Sequence, residues 1–299
     1  GIITPDRALT EECYRSFYAL NTLVRRTNVI GHRGNPSVAQ ENTIAGTKTA
    51  FANGATAVEN DIYRVADGVL MVMHDKTIDR TTNGSGKTVD FTSTQLKKYV
   101  VDVKAGLPTE PIPSLEDYFK AVKDQDGQRL VVEIKHPDTS FAAPFASMIK
   151  KYDIMDQMTI IGFDVEDLQA IRDKLPGAPV GLLKRFAFNE AEPVFTVQSI
   201  LNEIQTCNSV CNPGYTAMEG KMIRSFIYRG VSLWPWTVND QSTFDNLMIK
   251  GVGGITTDYS QWAKDMVESL SVADNGTVIA TTYGGSRIDV TASAELVVI

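Results

Sequence analysis

Three cysteines, three histidines and three tryptophans are all that this 299-residue chain holds of those types, and the scarcities exclude as much as they allow. Cys13, Cys207 and Cys211 are too few for a four-thiolate zinc site. Cys207 and Cys211 would close a loop only if the backbone folded sharply between them, so free buried thiols are expected. No apolar run approaches the ~20 residues that span a bilayer. Positive charge is also short: 29 Lys and Arg against 36 Asp and Glu leave a net charge of -7. That balance argues against nucleic acid or an anionic membrane surface as the main partner. No glycine-rich dinucleotide fingerprint follows the first strand, which disfavours an open doubly wound sheet. The chain starts at Gly1 rather than Met, so removal of a tag or a targeting peptide is expected, with an extracytoplasmic location favoured over a cytoplasmic one.

What the chain does have is alternation. Short apolar runs at 29–31, 57–61, 130–135, 159–163, 180–183, 209–211, 232–238 and 254–257 read as strands. Segments 43–53, 114–123, 141–151, 165–175, 194–205, 216–228, 242–250 and 261–269 read as helices between and after them. Strands alternating with helices predict an α/β fold with a parallel sheet, and eight strands close a (β/α)8 TIM barrel, expected here over 29–270. Residues 1–28 read as an N-terminal helix packed on the barrel. Thr10 is its N-cap, Glu11 and Glu12 lie in its first turn, and Arg25 and Arg26 near its end. Cys13, Phe17, Leu20 and Val24 form its apolar stripe. Residues 81–113 are rich in Thr, Gly and Pro and read as an inserted loop or cap after the second strand, a length that tends to be functional. Residues 271–299, with β-branched runs around Gly284-Gly285, read as a short β-rich C-terminal extension.

The chemistry gathers at strand ends. The stretch 57–80 reads as two strand segments around Asp67-Gly68, a strong hairpin signal. A two-residue turn there would set Ala66 opposite Val69, Tyr63 opposite Val72 and Asp61 opposite His74, with Glu59 on the same face as Asp61. His32-Arg33-Gly34 follows the first strand, and Glu133-Ile134-Lys135 ends another. In a barrel these ends form the active mouth. Acidic residues are disfavoured in strands and costly to bury unpaired, so Glu59, Asp61 and Glu133 need an explanation. A hard divalent cation supplies one, since three carboxylates suit Mg²⁺, Ca²⁺ or Mn²⁺; ion pairs with Arg33 and Lys135 supply another. The cation is the preferred account. His136, beside Pro137, reads as a loop residue, and Trp236 as either a pocket wall or a buried aromatic.

These residues also carry a resemblance. His32-Arg33-Gly34, Glu41-Asn42-Thr43, Glu59-Asn60-Asp61, His74-Asp75, Arg80-Thr81-Thr82 with Gly84 and Gly86, Glu133-Ile134-Lys135, Trp236-Thr237-Val238-Asn239 and Thr256-Thr257-Asp258-Tyr259 occur in that order. The ordered set resembles the motifs of the glycerophosphodiester phosphodiesterase family. The resemblance implies a (β/α)8 barrel that hydrolyses small glycerophosphodiesters to glycerol 3-phosphate and an alcohol with one divalent cation, Mg²⁺ or Ca²⁺. It implies His32 and His74 as the acid/base pair, Glu59, Asp61 and Glu133 as metal ligands, and Arg33 and Lys135 as phosphate-binding cations. Trp236 is a further candidate for substrate contact. Ser260 replaces a common proline and Asn60 a usual apolar residue; neither touches a catalytic group, so the departures bear on substrate preference. Two rivals stand beside this reading. One is a phospholipase D-like enzyme acting on lysolipids, which an exposed apolar rim would favour. The other is a non-catalytic binding protein, which the loss of a histidine or an acid would favour.

Overall fold

The computed structural model describes residues 27–123, 127–135, 138–186, 193–218, 220–265, 267–282 and 285–289. Residues 1–26 of the helix expected over 1–28, with Cys13, His136 and the end of the C-terminal extension, lie outside the described residues, and Asn28 opens a strand instead. Residues 27–260 form one compact unit. The strands of its main sheet are β1 (Asn28–Gly31), β2 (Ala57–Arg64), β3 (Leu70–Val72), β4 (Leu130–Ile134), β5 (Met158–Gly162), β6 (Val180–Lys184), β7 (Val210–Pro213) and β8 (Gly254–Thr257). All but β3 are parallel in a curled sheet of order β8-β1-β2-β4-β5-β6-β7. The strand expected at 232–238 is not regular, because Pro235 has no N–H to give a ladder. The segment still lies between the two sheet edges. Trp234 N donates to Cys211 O at 2.9 Å on one side, and Gly253 N donates to Leu233 O at 2.9 Å on the other. It serves as the eighth stave of a TIM barrel.

Helices α1 (Ile44–Ala52), α2 (Leu115–Val122), α3 (Ala142–Tyr152), α4 (Val165–Lys174), α5 (Pro193–Cys207), α6 (Gly220–Ile227) and α7 (Gln241–Ile249) connect the staves. Their starts are set locally. Ser114 and Asp117 close a capping box on α2, and the Asp240 side chain accepts from Thr243 N at the start of α7. Each helix buries one face, as Leu115, Tyr118, Phe119 and Val122 do on α2. Inside the barrel, Ile30, Ala57, Val131, Ile161 and Leu183 pack together with Trp234 and Trp236. Cys207 and Cys211 are free and buried, and burial pushes the Cys211 thiol up to about 12.

The hairpin register differs from the two-residue turn expected. Val65 N donates to Val69 O, Tyr63 pairs with Met71, Ile62 with Val72, and Met73 N donates to Asp61 O. Ala66 therefore belongs to a three-residue turn, closed by Gly68 N donating to Val65 O, with Gly68 at φ 81°. One extra turn residue slides every pair, so Met73 rather than His74 stands opposite Asp61. Beneath the inserted segment, Tyr63, Val65, Met71 and Met73 share a small core with Ile78, Leu96, Val101 and Ile112.

Beyond the barrel in sequence, β9 (Val267–Val272), β10 (Val278–Thr282) and β11 (Arg287–Asp289) form an antiparallel sheet. The helix expected over 261–269 is replaced by a 3-10 turn, Ser260–Asp265, and by the start of β9. Strand pairing with β10 overrides the weak helical spacing of that stretch.

Candidate active site

Side chains alternate along a strand, so the residue two places beyond a barrel-core position points the same way, one level nearer the C-terminal mouth. Ile30 is followed by His32, Ala57 by Glu59 and Asp61, Val131 by Glu133 and Lys135, Ile161 by Phe163, and Leu183 by Arg185. The core is thus roofed by functional groups. Glu59, Asp61 and Glu133 are 2%, 1% and 8% exposed, and one ligand atom from each lies within 4.8 Å of the others.

Two cations serve this cluster. Arg33 donates from Nη1 to Glu41 at 2.9 Å, and its Nε lies 3.6 Å from Asp61. Its backbone N–H donates to Glu59 Oε2 at 2.9 Å, which the left-handed φ of 50° at Arg33 makes possible. Lys135 Nζ lies 2.5 Å from Glu133 and 3.3 Å from Asp61. Asn42 Nδ2 donates to Asp61 Oδ2 at 2.9 Å. Glu59 Oε1 remains buried without a hydrogen-bond partner.

The electrostatics divide the three acids. Burial, with Asp61 and Glu133 beside it, pushes Glu59 well above the usual carboxylate range. Burial and Asp61 push Glu133 up to about 7, against the pull of Lys135. Asp61 is buried too, but Lys135, Arg33 and His74 together hold it below its ordinary value. Desolvation would lower Arg33 and Lys135, yet the surrounding carboxylates raise both.

Each histidine is held by an aspartate. His32 Nδ1 lies 2.6 Å from Asp258 Oδ1, and Asp258 is steadied by Asn239 Nδ2 at 2.6 Å. His74 Nδ1 lies 2.6 Å from Asp75 Oδ1. Arg80 fixes Asp75 through Nε at 2.6 Å and clamps Glu41 with two bonds of 2.9 Å. Donation from Arg80 and from His74 holds Asp75 down to about 2. Burial, helped by the charges of Arg33 and Lys135, holds His74 below its ordinary value against the pull of Asp61 and Asp75, so the ring stands within electrostatic reach of the cluster despite the changed register.

The structure therefore brings His32, Arg33, Glu59, Asp61, His74, Glu133 and Lys135 into one constellation. Trp236 stands at the same mouth in the opposite half of the barrel. Its Nε1 donates to Asn212 O at 2.7 Å and its ring meets Phe163 edge-on, centroids 5.7 Å apart. The aspartates, Asn239, Glu41, Asn42 and Arg80 carried no assigned role in the sequence reading. The sheet register brings one pair together: Gly31 pairs with Thr257, so the next residues on those strands, His32 and Asp258, emerge side by side.

The glycerophosphoryl diester phosphodiesterase family model matches residues 32–261. The chain belongs to this family. A glycerophosphodiester phosphodiesterase of Caldanaerobacter subterraneus subsp. tengcongensis is 31% identical over 238 residues, covering 78% of this chain and 94% of that one. A glycerophosphodiester phosphodiesterase of Bacillus subtilis is 28% identical over 280 residues, covering 87% of this chain and 86% of its own length. Among solved structures, an Oleispira antarctica phosphodiesterase in complex with the product sn-glycerol-3-phosphate superposes with a TM-score of 0.70 at 22% identity, covering 79% of this chain and 94% of that chain. The family membership makes the chain a glycerophosphodiester phosphodiesterase, a phosphoric diester hydrolase on a TIM barrel.

Proposed function

We propose that this enzyme releases glycerol 3-phosphate and an alcohol from glycerophosphodiesters, with a divalent cation, Mg²⁺ or Ca²⁺, on Glu59, Asp61 and Glu133 and with His32 and His74 moving the protons. The observation that carries the reading is the pairing of two aspartate-held histidines with one buried three-carboxylate cluster. The residues suit such a cation: all three acids offer oxygen, and Glu59 Oε1 is a buried acceptor with no donor. When bound, the cation offsets negative charge on the phosphoryl oxygens.

The remaining work falls to side chains. A phosphodiester repels nucleophiles by its charge, and its leaving alkoxide needs a proton. Arg33 and Lys135 complement the phosphoryl oxygens. A carboxylate accepting from Nδ1 places the histidine proton there and leaves Nε2 as the working atom on both rings. One Nε2 takes the proton of the attacking hydroxyl, and the other, protonated, gives one to the departing oxygen. The nucleophile is water or a neighbouring hydroxyl of the glycerol.

The test is release of glycerol 3-phosphate from a panel of glycerophosphodiesters and one lysophospholipid. EDTA should abolish turnover and Mg²⁺ or Ca²⁺ should restore it. His32→Ala and His74→Ala should each lower kcat by ~10²–10⁴-fold. Near wild-type turnover in either variant sinks the two-histidine assignment, and preference for the lysophospholipid moves the substrate class.

A further inference from the structure

The two halves of the barrel mouth differ in kind. One half carries the acids, the histidines and their cations. The other carries Phe163 after β5, Arg185 after β6 and Trp236 on the irregular stave. Lys184 pairs with Pro213, so Arg185 stands beside Gly214, and Gly214 bridges to Trp236. Gly214 has no side chain to separate its neighbours, and the Arg185 guanidinium reaches across it. Its Cζ lies 5.1 Å from the centroid of Trp236 and 6.0 Å from that of Phe163. The two rings meet at 90°. This corner has the form of an aromatic cage whose cation is already supplied by the chain.

We infer that Phe163, Arg185 and Trp236 receive the alcohol arm of the substrate and select neutral polyol alcohols over cationic ones. The inference rests on the function proposed above. The groups that would hold the phosphoryl are covered, Arg33 15% and Lys135 17% exposed, while the two histidines beside them are 20% and 31% exposed. Phe163, by contrast, is 41% exposed and Arg185 is exposed. The variable arm of the diester, which must leave as a separate product, fits the open side. A quaternary or primary ammonium there would have to displace Arg185 from the ring face and would meet its like charge. The hydroxyls of a glycerol or inositol arm accept from the guanidinium instead, while their carbon faces lie on the rings.

The experiment compares kcat/KM for glycerophosphoglycerol and glycerophosphoinositol with kcat/KM for glycerophosphocholine, in the full chain with Mg²⁺ or Ca²⁺. The wild type should favour the polyol diesters by roughly 3- to 30-fold, the span of one cation–aromatic contact. Arg185→Gln should narrow that ratio, and Arg185→Glu should turn it toward glycerophosphocholine. Equal or greater use of glycerophosphocholine by the wild type overturns the inference, as does a uniform loss on all substrates in both variants. Inertness toward every diester defeats the proposed function itself, whereas turnover without discrimination defeats only the selection by Arg185.

Discussion

At the residue scale, the decisive contacts are the aspartate partners of the histidines. Asp258 accepts from His32 and so fixes which nitrogen faces the substrate. Replacing it by Asn removes that constraint, because an amide can donate to Nδ1 and leave the proton on Nε2. Asp258→Asn should lower kcat by ~10²-fold or more while KM changes little, a split that steady-state kinetics reads directly. Equal loss in kcat and gain in KM would assign Asp258 to binding instead. Asp75 makes the same bond to His74 and stays ionised down to about pH 2 because Arg80 and His74 both donate to it. Its titration cannot supply the acid limb of a pH–rate profile taken above pH 4. Both aspartates stand in the ordered motifs, His74-Asp75 and Thr257-Asp258-Tyr259, but the sequence does not say which histidine Asp258 serves. A single aspartate after a strand has no special pattern, and its role emerges only when the sheet register sets β8 beside β1.

At the element scale, the hairpin shows where sequence reading succeeds and where it slips. The alternation in 57–64 placed Glu59 and Asp61 on one face, and Asp67-Gly68 marked the turn. The register went wrong by one because loop length is set by backbone geometry: Ala66 joins the turn so that Gly68 can take its left-handed conformation at φ 81°. His74 still arrives because the chain leaves the ladder after Met73, whose side chain fills the small core under the inserted segment. Gly68→Ala should therefore destabilise the fold by about 1–2 kcal/mol, the cost of a side chain in the left-handed region. A Cβ there meets only the far end of Arg64, at 3.3 Å, which can swing away. Urea denaturation would measure the loss, with kcat at 25 °C retained. A neutral result would mean that the turn relaxes to another type. The stave at 232–238 teaches a similar lesson, since its apolar pattern located it while Pro235 prevented regular pairing.

At the scale of the whole molecule, the parallel barrel was readable because buried strands and amphipathic helices leave different periods, eight such units are the number that closes a barrel, and the glycine fingerprint of the open doubly wound alternative is missing. The β-rich stretch beyond residue 260 was readable in composition but not in its boundary, because the start of β9 depends on its pairing with β10. The same whole-molecule view makes the acid cluster a stability element. Without a cation, folded Glu133 keeps its proton to about pH 7, whereas its ordinary value is 4.5. A carboxylate whose folded value is raised favours the folded state below its unfolded value, and that contribution is lost as pH rises from about 4.5 to about 7. A bound cation reverses the balance, because it requires the ionised acids. Mg²⁺ or Ca²⁺ at about 100 times its Kd should stabilise the protein by ~2.7 kcal/mol, roughly 5–10 °C in Tm. At one fixed cation concentration the shift should be larger at pH 8 than at pH 6, because proton competition weakens binding at the lower pH, and Glu59→Gln should remove most of it. Binding at pH 6 should release protons, seen by calorimetry as a heat that changes with the ionisation enthalpy of the buffer. The same heat in every buffer at pH 6 would show that the acids are already ionised, and an unchanged Tm at both pH values would place the cation elsewhere.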